Sequence, residues 1–290
     1  MDQPLPILLQ HPPPFIVLSP RQQTAPLVFA SPHSGRDYPP SFLAAARLDA
    51  LALRRSEDCF VDELFASAPS CGAPLLAATF PRAYCDPNRE AWELDPAMFD
   101  DSLPAWVNTT SARVSAGLGT IARVVASGES IYRHKLRFTD AEDRIRSCWA
   151  PYHAELARLL DETRARHGAC LLIDCHSMPA QTPATGRAAD FVLGDAHGTT
   201  CAPRATRLVE TVLTDLGYQV RRNDPYAGGF VTRHYGRPRE GVHALQIEVS
   251  RRLYMDEARI EKRPDFISVQ RHLTALVGRL AAEAPKLLQR

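Results

Sequence analysis

Short apolar runs recur along the chain, and each gives way to polar or turn-forming residues. Leu27, Val28, Phe29 and Ala30 form one such run, of the kind that becomes a fully buried strand. Similar runs predict strands at 15–18, 74–79, 169–174, 190–194, 218–221 and 244–249. Between them, apolar residues fall at helical spacing. One helical pattern covers 48–66. Another opens with Thr139 as N-cap and Glu142 three residues on, a capping box, and carries Ile145, Trp149, Tyr152, Leu156, Leu159 and Leu160 on one side. Pro151 is expected to kink or split it near Ala150. Two further helices are predicted over 200–217 and 266–280. Strands alternating with helices imply an α/β layer architecture around a mostly parallel sheet. The first 26 residues contain Pro4, Pro6, Pro12, Pro13, Pro14, Pro20 and Pro26 and cannot hold a long helix. They are expected to form an arm with one short strand, ahead of a single domain over 27–290.

Composition narrows the function classes. The 290 residues are 45% hydrophobic and 23% charged, enough apolar material for a sizeable core and far from the signature of disorder. Lys and Arg number 34 against 33 Asp and Glu, so no broad basic footprint for nucleic acid is expected. No stretch approaches ~20 consecutive apolar residues, so no membrane span is expected either. The opening Met1-Asp2-Gln3-Pro4 lacks the basic and apolar regions of a secretory signal, which makes the cytoplasm the expected location. Seven cysteines at irregular spacing, with no Cys-x-x-Cys pair, fit neither a disulfide framework nor a four-cysteine zinc site.

Three polar clusters directly follow predicted strands: Ser31-Pro32-His33-Ser34-Gly35, Asp174-Cys175-His176-Ser177-Met178-Pro179, and Glu248-Val249-Ser250-Arg251. In open α/β sheets the carboxyl ends of strands face the ligand crevice, so His33, His176 and Glu248 are expected to build one site. Two imidazoles and a carboxylate, with an open fourth position, are the ligand set of hydrolytic zinc sites. A further carboxylate would serve as general base to the bound water. The third ligand stays open here among Glu57, Asp58 and Asp62. Asp174, two positions before His176 on the same side of the strand, could orient that imidazole. Arg89, in the turn Asp86-Pro87-Asn88-Arg89, and Arg233, in the glycine-flanked loop that starts at Tyr226, suit an anionic substrate, because guanidinium forks match carboxylates. Serine-nucleophile elbows, phosphate loops and dinucleotide fingerprints are absent from the sequence.

Six strings in order resemble the N-formylglutamate amidohydrolases: Ser-Pro-His-Ser-Gly at 31–35, Glu-Asp-Cys-Phe-Val-Asp-Glu-Leu at 57–64, Asp-Pro-Asn-Arg at 86–89, Asp-Cys-His-Ser-Met-Pro at 174–179, Pro-Tyr-Ala-Gly-Gly-Phe at 225–230, and Gln-Ile-Glu-Val-Ser-Arg-Arg-Leu-Tyr-Met-Asp-Glu at 246–257. The resemblance spans 31–257. It implies a three-layer α/β/α sandwich with a mixed, mostly parallel sheet, like that of the zinc carboxypeptidases and aspartoacylases. It further implies one Zn2+ held by His33, His176 and one acid of the 57–58 pair, Asp58 being preferred, with Glu248 as general base and acid. Asn88 and Arg89 resemble the pair that grips a substrate carboxylate, with Arg233 and Arg251 as further candidates for that role. Pro87 stands where the family pattern has an apolar residue such as leucine. The implied reaction is zinc-dependent hydrolysis of N-formyl-L-glutamate, a small anionic substrate, to formate and glutamate. Alternatives are a deacylase or carboxypeptidase-like hydrolase of another N-acyl amino acid or peptide, and a non-catalytic binder of acidic metabolites.

Overall fold

The predicted apolar runs pair into one seven-stranded mixed sheet. The computed structural model describes residues 13–180 and 188–288, so the first twelve residues of the expected arm lie outside the described residues. In chain order the strands are β1 (Phe15–Leu18), β2 (Leu27–Ser31), β3 (Leu75–Ala78), β4 (Cys170–Met178), β5 (Phe191–Gly194), β6 (Val220–Arg222) and β7 (Val242–Ser250). They lie in the order β1-β3-β2-β4-β7-β5-β6. β3, β2, β4 and β7 run parallel to one another, as do β5 and β6, whereas β1 joins β3, and β5 joins β7, antiparallel. The sheet is mixed, as the family resemblance implies.

Helices cover both faces. Named in chain order, they are α1 (Pro40–Ala45), α2 (Ala50–Arg54), α3 (Val61–Leu64), α4 (Ala112–Ser115), α5 (Phe138–Arg144), α6 (Ala150–His167), α7 (Pro203–Asp215), α8 (Phe230–Tyr235) and α9 (Phe266–Leu287). On one face Leu171, Ile173, Cys175, Leu245, Ile247 and Val249 pack with residues of α3, α7 and α9. On the other, Val28, Ala30, Cys170, Leu172, Val242 and Ala244 pack with Tyr152, Leu156 and Leu160 of α6. Side chains alternate faces along a strand. The residues that follow Leu172 and Ala244 on the α6 face are therefore Asp174, His176, Gln246 and Glu248. Along that face the apolar layer ends and a polar one begins.

Local expectations are corrected at several points. The helix predicted over 48–66 is broken into α2 and α3: the chain turns inward between them, with Asp58 N–H donating to His33 O at 2.9 Å and Phe60 in the left-handed region at φ 65°. The helix predicted to have Thr139 as its N-cap begins two residues earlier. Arg137 is its N-cap, and the Arg137 N–H donates to Asp140 Oδ2 at 2.8 Å, so the Thr139–Glu142 capping box does not form. The split expected near Ala150 is present: a π-helical turn over Ile145–Trp149 separates α5 from α6, which starts at Ala150 with Pro151 as its second residue, and the wider turn accommodates the missing Pro151 N–H. Finally, β4 and β7 run on through the polar clusters to Met178 and Ser250, so His176 and Glu248 sit on strands and not after them.

Two glycines test the packing argument. A Cβ at Gly35 would lie 2.1 Å from the Phe80 carbonyl oxygen, whereas one at Gly278 on α9 meets nothing within 4 Å. Gly35→Ala is expected to destabilise the protein by about 1–3 kcal/mol through overpacking. Gly278→Ala is expected to stabilise it by roughly 0.5–1 kcal/mol through helix propensity. Urea unfolding of the two variants measures both signs.

Candidate functional site

Parallel pairing of β4 with β7 sets the heart of the site. Asp174 lies opposite Gln246 and His176 opposite Glu248 in register, so all four project side by side on one face. His33 arrives from the end of β2, the neighbouring strand, and Asp58 from the inward turn between α2 and α3. His33 and Asp58 are 1% exposed and His176 is 2% exposed, so bulk water does not screen their interactions. Their candidate ligand atoms all lie within 4.8 Å of one another.

The two imidazoles are oriented alike. His33 Nδ1 is 3.3 Å and His176 Nδ1 3.0 Å from the same oxygen, Asp58 Oδ2. The opposite nitrogens face other carboxylates: His33 Nε2 lies 2.7 Å from Asp86 Oδ1, and His176 Nε2 lies 2.9 Å from Asp174 Oδ1. A neutral imidazole has one N–H to give. If it goes to Asp86 or Asp174, each Nδ1 lone pair points at Asp58 Oδ2, and three buried acceptors converge. That convergence needs positive charge between them, from protons or from a cation. The donor set fits a metal ion: two imidazole nitrogens and one carboxylate oxygen, with both rings oriented by carboxylates behind them.

Electrostatics follow the same geometry. Burial would raise the Asp58 pKa, but hydrogen bonds and charge from His176 and His33 hold it well below the usual carboxylate range. Burial likewise opposes ionisation of Asp86, yet Arg82, His33 and Arg89 hold it well down. His176 is the converse: burial disfavours its charge, and Asp174, then Asp58, raise it well above the ordinary imidazole value. Glu248, accepting a 2.7 Å hydrogen bond from Gln246 Nε2, is pushed up to about 7 chiefly by burial.

A cavity of about 540 Å³ opens over this cluster, lined by His33, Asp58, His176 and Glu248 together with Asn88, Arg89, Arg233 and Arg251. The eight residues expected as metal ligands, general base and carboxylate clamp thus meet in one place, whereas the alternative ligands Glu57 and Asp62 do not line it. Their settings differ. Asn88 Nδ2 lies 3.2 Å from His176 Nε2, and Asn88 Oδ1 accepts the Val231 N–H at 2.8 Å. Arg89 is buried, its Nε donating to Leu118 O at 2.8 Å. Arg233 is exposed. Arg251 directs its donors at Asp58 Oδ1, Ser177 Oγ and the backbone oxygens of Glu57 and Arg55. It therefore braces Asp58. Glu57 faces away from the histidines, bonded to Tyr38, Arg54 and Cys59.

Sequence patterning misses several supporting residues. Asp86 lies in the Asp-Pro-Asn-Arg turn with no role expected for it, and Arg82, which donates to Asp86 Oδ2 at 2.7 Å, carries no signal at all. Trp149, which ends the π-turn, and His153, one turn later in α6, clamp the loop that presents Asn88: Trp149 Nε1 donates to Arg89 O at 2.9 Å and His153 Nε2 to Pro87 O at 2.8 Å. Burial lowers the His153 pKa to about 4, so the ring is neutral, with Tyr235 OH at 2.9 Å from its other nitrogen. A second cavity, of about 530 Å³, opens at the other end of the sheet beside Gly168, Gly241 and His243; the metal-ligating cluster found among the described residues is not there.

Alanine at His33, His176 or Asp58 is expected to abolish stoichiometric binding of a divalent metal ion at this candidate site, while Glu57→Gln leaves it unchanged; elemental analysis after dialysis distinguishes them. For the loop clamp, His153→Phe leaves the Pro87 carbonyl without its donor and should cost about 1–3 kcal/mol. His153→Gln keeps a donor and an acceptor and should cost less, as denaturant unfolding can show.

The N-formylglutamate amidohydrolase family model matches residues 25–255. The N-formylglutamate deformylase of Pseudomonas aeruginosa is 33% identical over 247 residues, covering 83% of this chain and 86% of that protein. That of Pseudomonas putida is 31% identical over 246 residues, with the same coverage of 83% and 86%. The crystal structure of N-formylglutamate amidohydrolase from Ralstonia eutropha JMP134 is similar at a TM-score of 0.88 and 40% identity, over 94% of this chain and 99% of that one. The gene product Atu2144 of Agrobacterium tumefaciens, at 17% identity and a TM-score of 0.64, shares the fold over 94% of this chain and 96% of its own. With the match running over most of its length, the chain belongs to the N-formylglutamate amidohydrolase family of amide-cleaving enzymes.

Proposed function

We propose that this enzyme is a zinc-dependent deformylase that hydrolyses N-formyl-L-glutamate to formate and glutamate. The observation that carries the proposal is the convergence of His33 Nδ1, His176 Nδ1 and Asp58 Oδ2, with Glu248 in register beside His176. Relatives named for the same reaction support the substrate.

His33, His176 and Asp58 would hold one Zn2+, with Asp86, Asp174 and Arg251 fixing their orientation. A bound Zn2+ supplies charge that polarises the amide carbonyl and lowers the pKa of a water toward ~7. Glu248 takes that water's proton as its oxygen attacks the formyl carbon. As the carbon–nitrogen bond breaks, Glu248 returns the proton to the leaving amine, giving glutamate and formate. Gln246 Nε2 holds one Glu248 oxygen in place with a 2.7 Å hydrogen bond. Arg89, with Asn88 beside it and Arg233 second, binds substrate carboxylate.

Glu248→Gln is expected to lower kcat by about 10²–10⁴ with zinc retained, because a general base acts in the transition state. Arg89→Ala is expected chiefly to raise KM, and Arg89→Lys to rescue it only in part, since an ammonium lacks the planar fork. The pH profile carries a sign. Glu248 must be ionised to act, its pKa without a cation is about 7, and a nearby cation favours the carboxylate. The acid limb of kcat/KM should therefore fall below pH 7 and disappear in Glu248→Gln. Steady-state kinetics on zinc-loaded protein provides all three results; a Glu248→Gln variant with near-normal kcat would defeat the mechanism.

A further inference from the structure

The charges around the cavity do not balance within it. Five arginines line it (Arg82, Arg89, Arg113, Arg233 and Arg251) against three carboxylates, Asp58, Asp86 and Glu248. Two of the arginines are neutralised in place, Arg251 by Asp58 at 3.1 Å and Arg82 by Asp86 at 2.7 Å. Arg89 comes no nearer than 4.0 Å to the same Asp86, which already serves Arg82 and His33. Arg113 and Arg233 form no ion pair among the described residues. The cavity therefore holds more positive charge than its own acids answer.

The Arg89 side chain and the Arg113 backbone are tied together through one residue, Leu118. Arg89 Nε donates to Leu118 O at 2.8 Å, and the Leu118 N–H donates to Arg113 O at 2.8 Å. The segment that carries Arg113 is itself fixed: Ser111 Oγ caps α4 by accepting the Val114 N–H at 3.1 Å, Val114 is buried, and a Cβ at Gly119 would stand 2.2 Å from Glu93 O. Two like charges are thus built into one wall, the first buried next to Asn88 and the second exposed at the mouth. Arg233 is a weaker candidate for this role: it stands on the other loop with its Nε already donating to Gly228 O at 3.2 Å.

We infer that Arg113 is a specificity residue that binds the side-chain carboxylate of a dicarboxylic N-acyl amino acid, while Arg89 binds the carboxylate nearer the scissile amide. This rests on the deformylase reading for the scissile bond, but the anion pairing stands apart from turnover. A side-chain amide of the same size offers Arg113 no charge, so the wall separates acidic from neutral substrates by electrostatics and not by volume.

Binding tests it without requiring catalysis. Zinc-loaded Glu248→Gln protein is titrated calorimetrically with N-formyl-L-glutamate and with N-formyl-L-glutamine, with and without Arg113→Ala. The Arg113→Ala change should weaken binding of the glutamate derivative on the order of tenfold to a hundredfold, as for a lost charged hydrogen bond. It should leave the glutamine derivative within about twofold, Arg113→Lys should recover part of the loss, and Arg233→Ala should have the smaller effect. Equal weakening of both ligands, or no weakening of either, would overturn the assignment. Binding that follows this pattern, in a wild-type enzyme that releases no formate, would sink the deformylase reading and leave Arg113 in its role.

Discussion

Three buried acceptors aimed at one point govern this structure. His33 Nδ1, His176 Nδ1 and Asp58 Oδ2 converge where almost no solvent reaches them, and carboxylates behind both rings compete for the remaining N–H groups. Bringing such groups together in a low-dielectric interior is costly unless positive charge lies among them. The raised pKa of His176 and the lowered pKa of Asp58 express the same demand in terms of protons. A dication meets it and at the same time creates a centre able to polarise an amide.

The fold delivers this arrangement by continuing its core pattern one step further. Along β4 and β7 the residues facing α6 are apolar as far as Leu172 and Ala244, and the next residues on that face are the polar pairs Asp174–Gln246 and His176–Glu248. Strand register thus fixes the spacing between a candidate ligand and a candidate base with no loop involved, which gives a more rigid placement than a loop could. Loops enter as the second tier, and each is braced. Arg251 ties the 55–58 turn through two backbone oxygens and Asp58 itself, while Trp149 and His153 hold the carbonyls on either side of Asn88.

Much of this was legible in the residues because buried strands announce themselves as apolar runs, and because ligand types cluster at the ends of those runs. The limits were physical. The polar stretch from Asp174 to Met178 has the composition of a loop, yet main-chain pairing with β7 keeps it extended. The apolar spacing over 48–66 suits a helix, but the His33 carbonyl captures the Asp58 N–H and turns the chain inward. Asp86, Arg82 and His153 act through partners that only the tertiary fold brings near, so no local pattern marks them. Glu248 and Arg89 were readable from their positions after a strand and in a turn, the pairing of Asn88 with Arg89 from the family resemblance, whereas the bracing contacts of Arg251 needed coordinates.

The central claim is that a water oxygen, activated at this cluster, attacks the formyl carbon. Hydrolysis of N-formyl-L-glutamate by the zinc-loaded protein in 18O-enriched water, with both products analysed by mass spectrometry, addresses it directly. The account predicts one 18O atom in each formate released and none in the glutamate. Absence of formate from fully zinc-loaded protein, or formate released without the label, would contradict it.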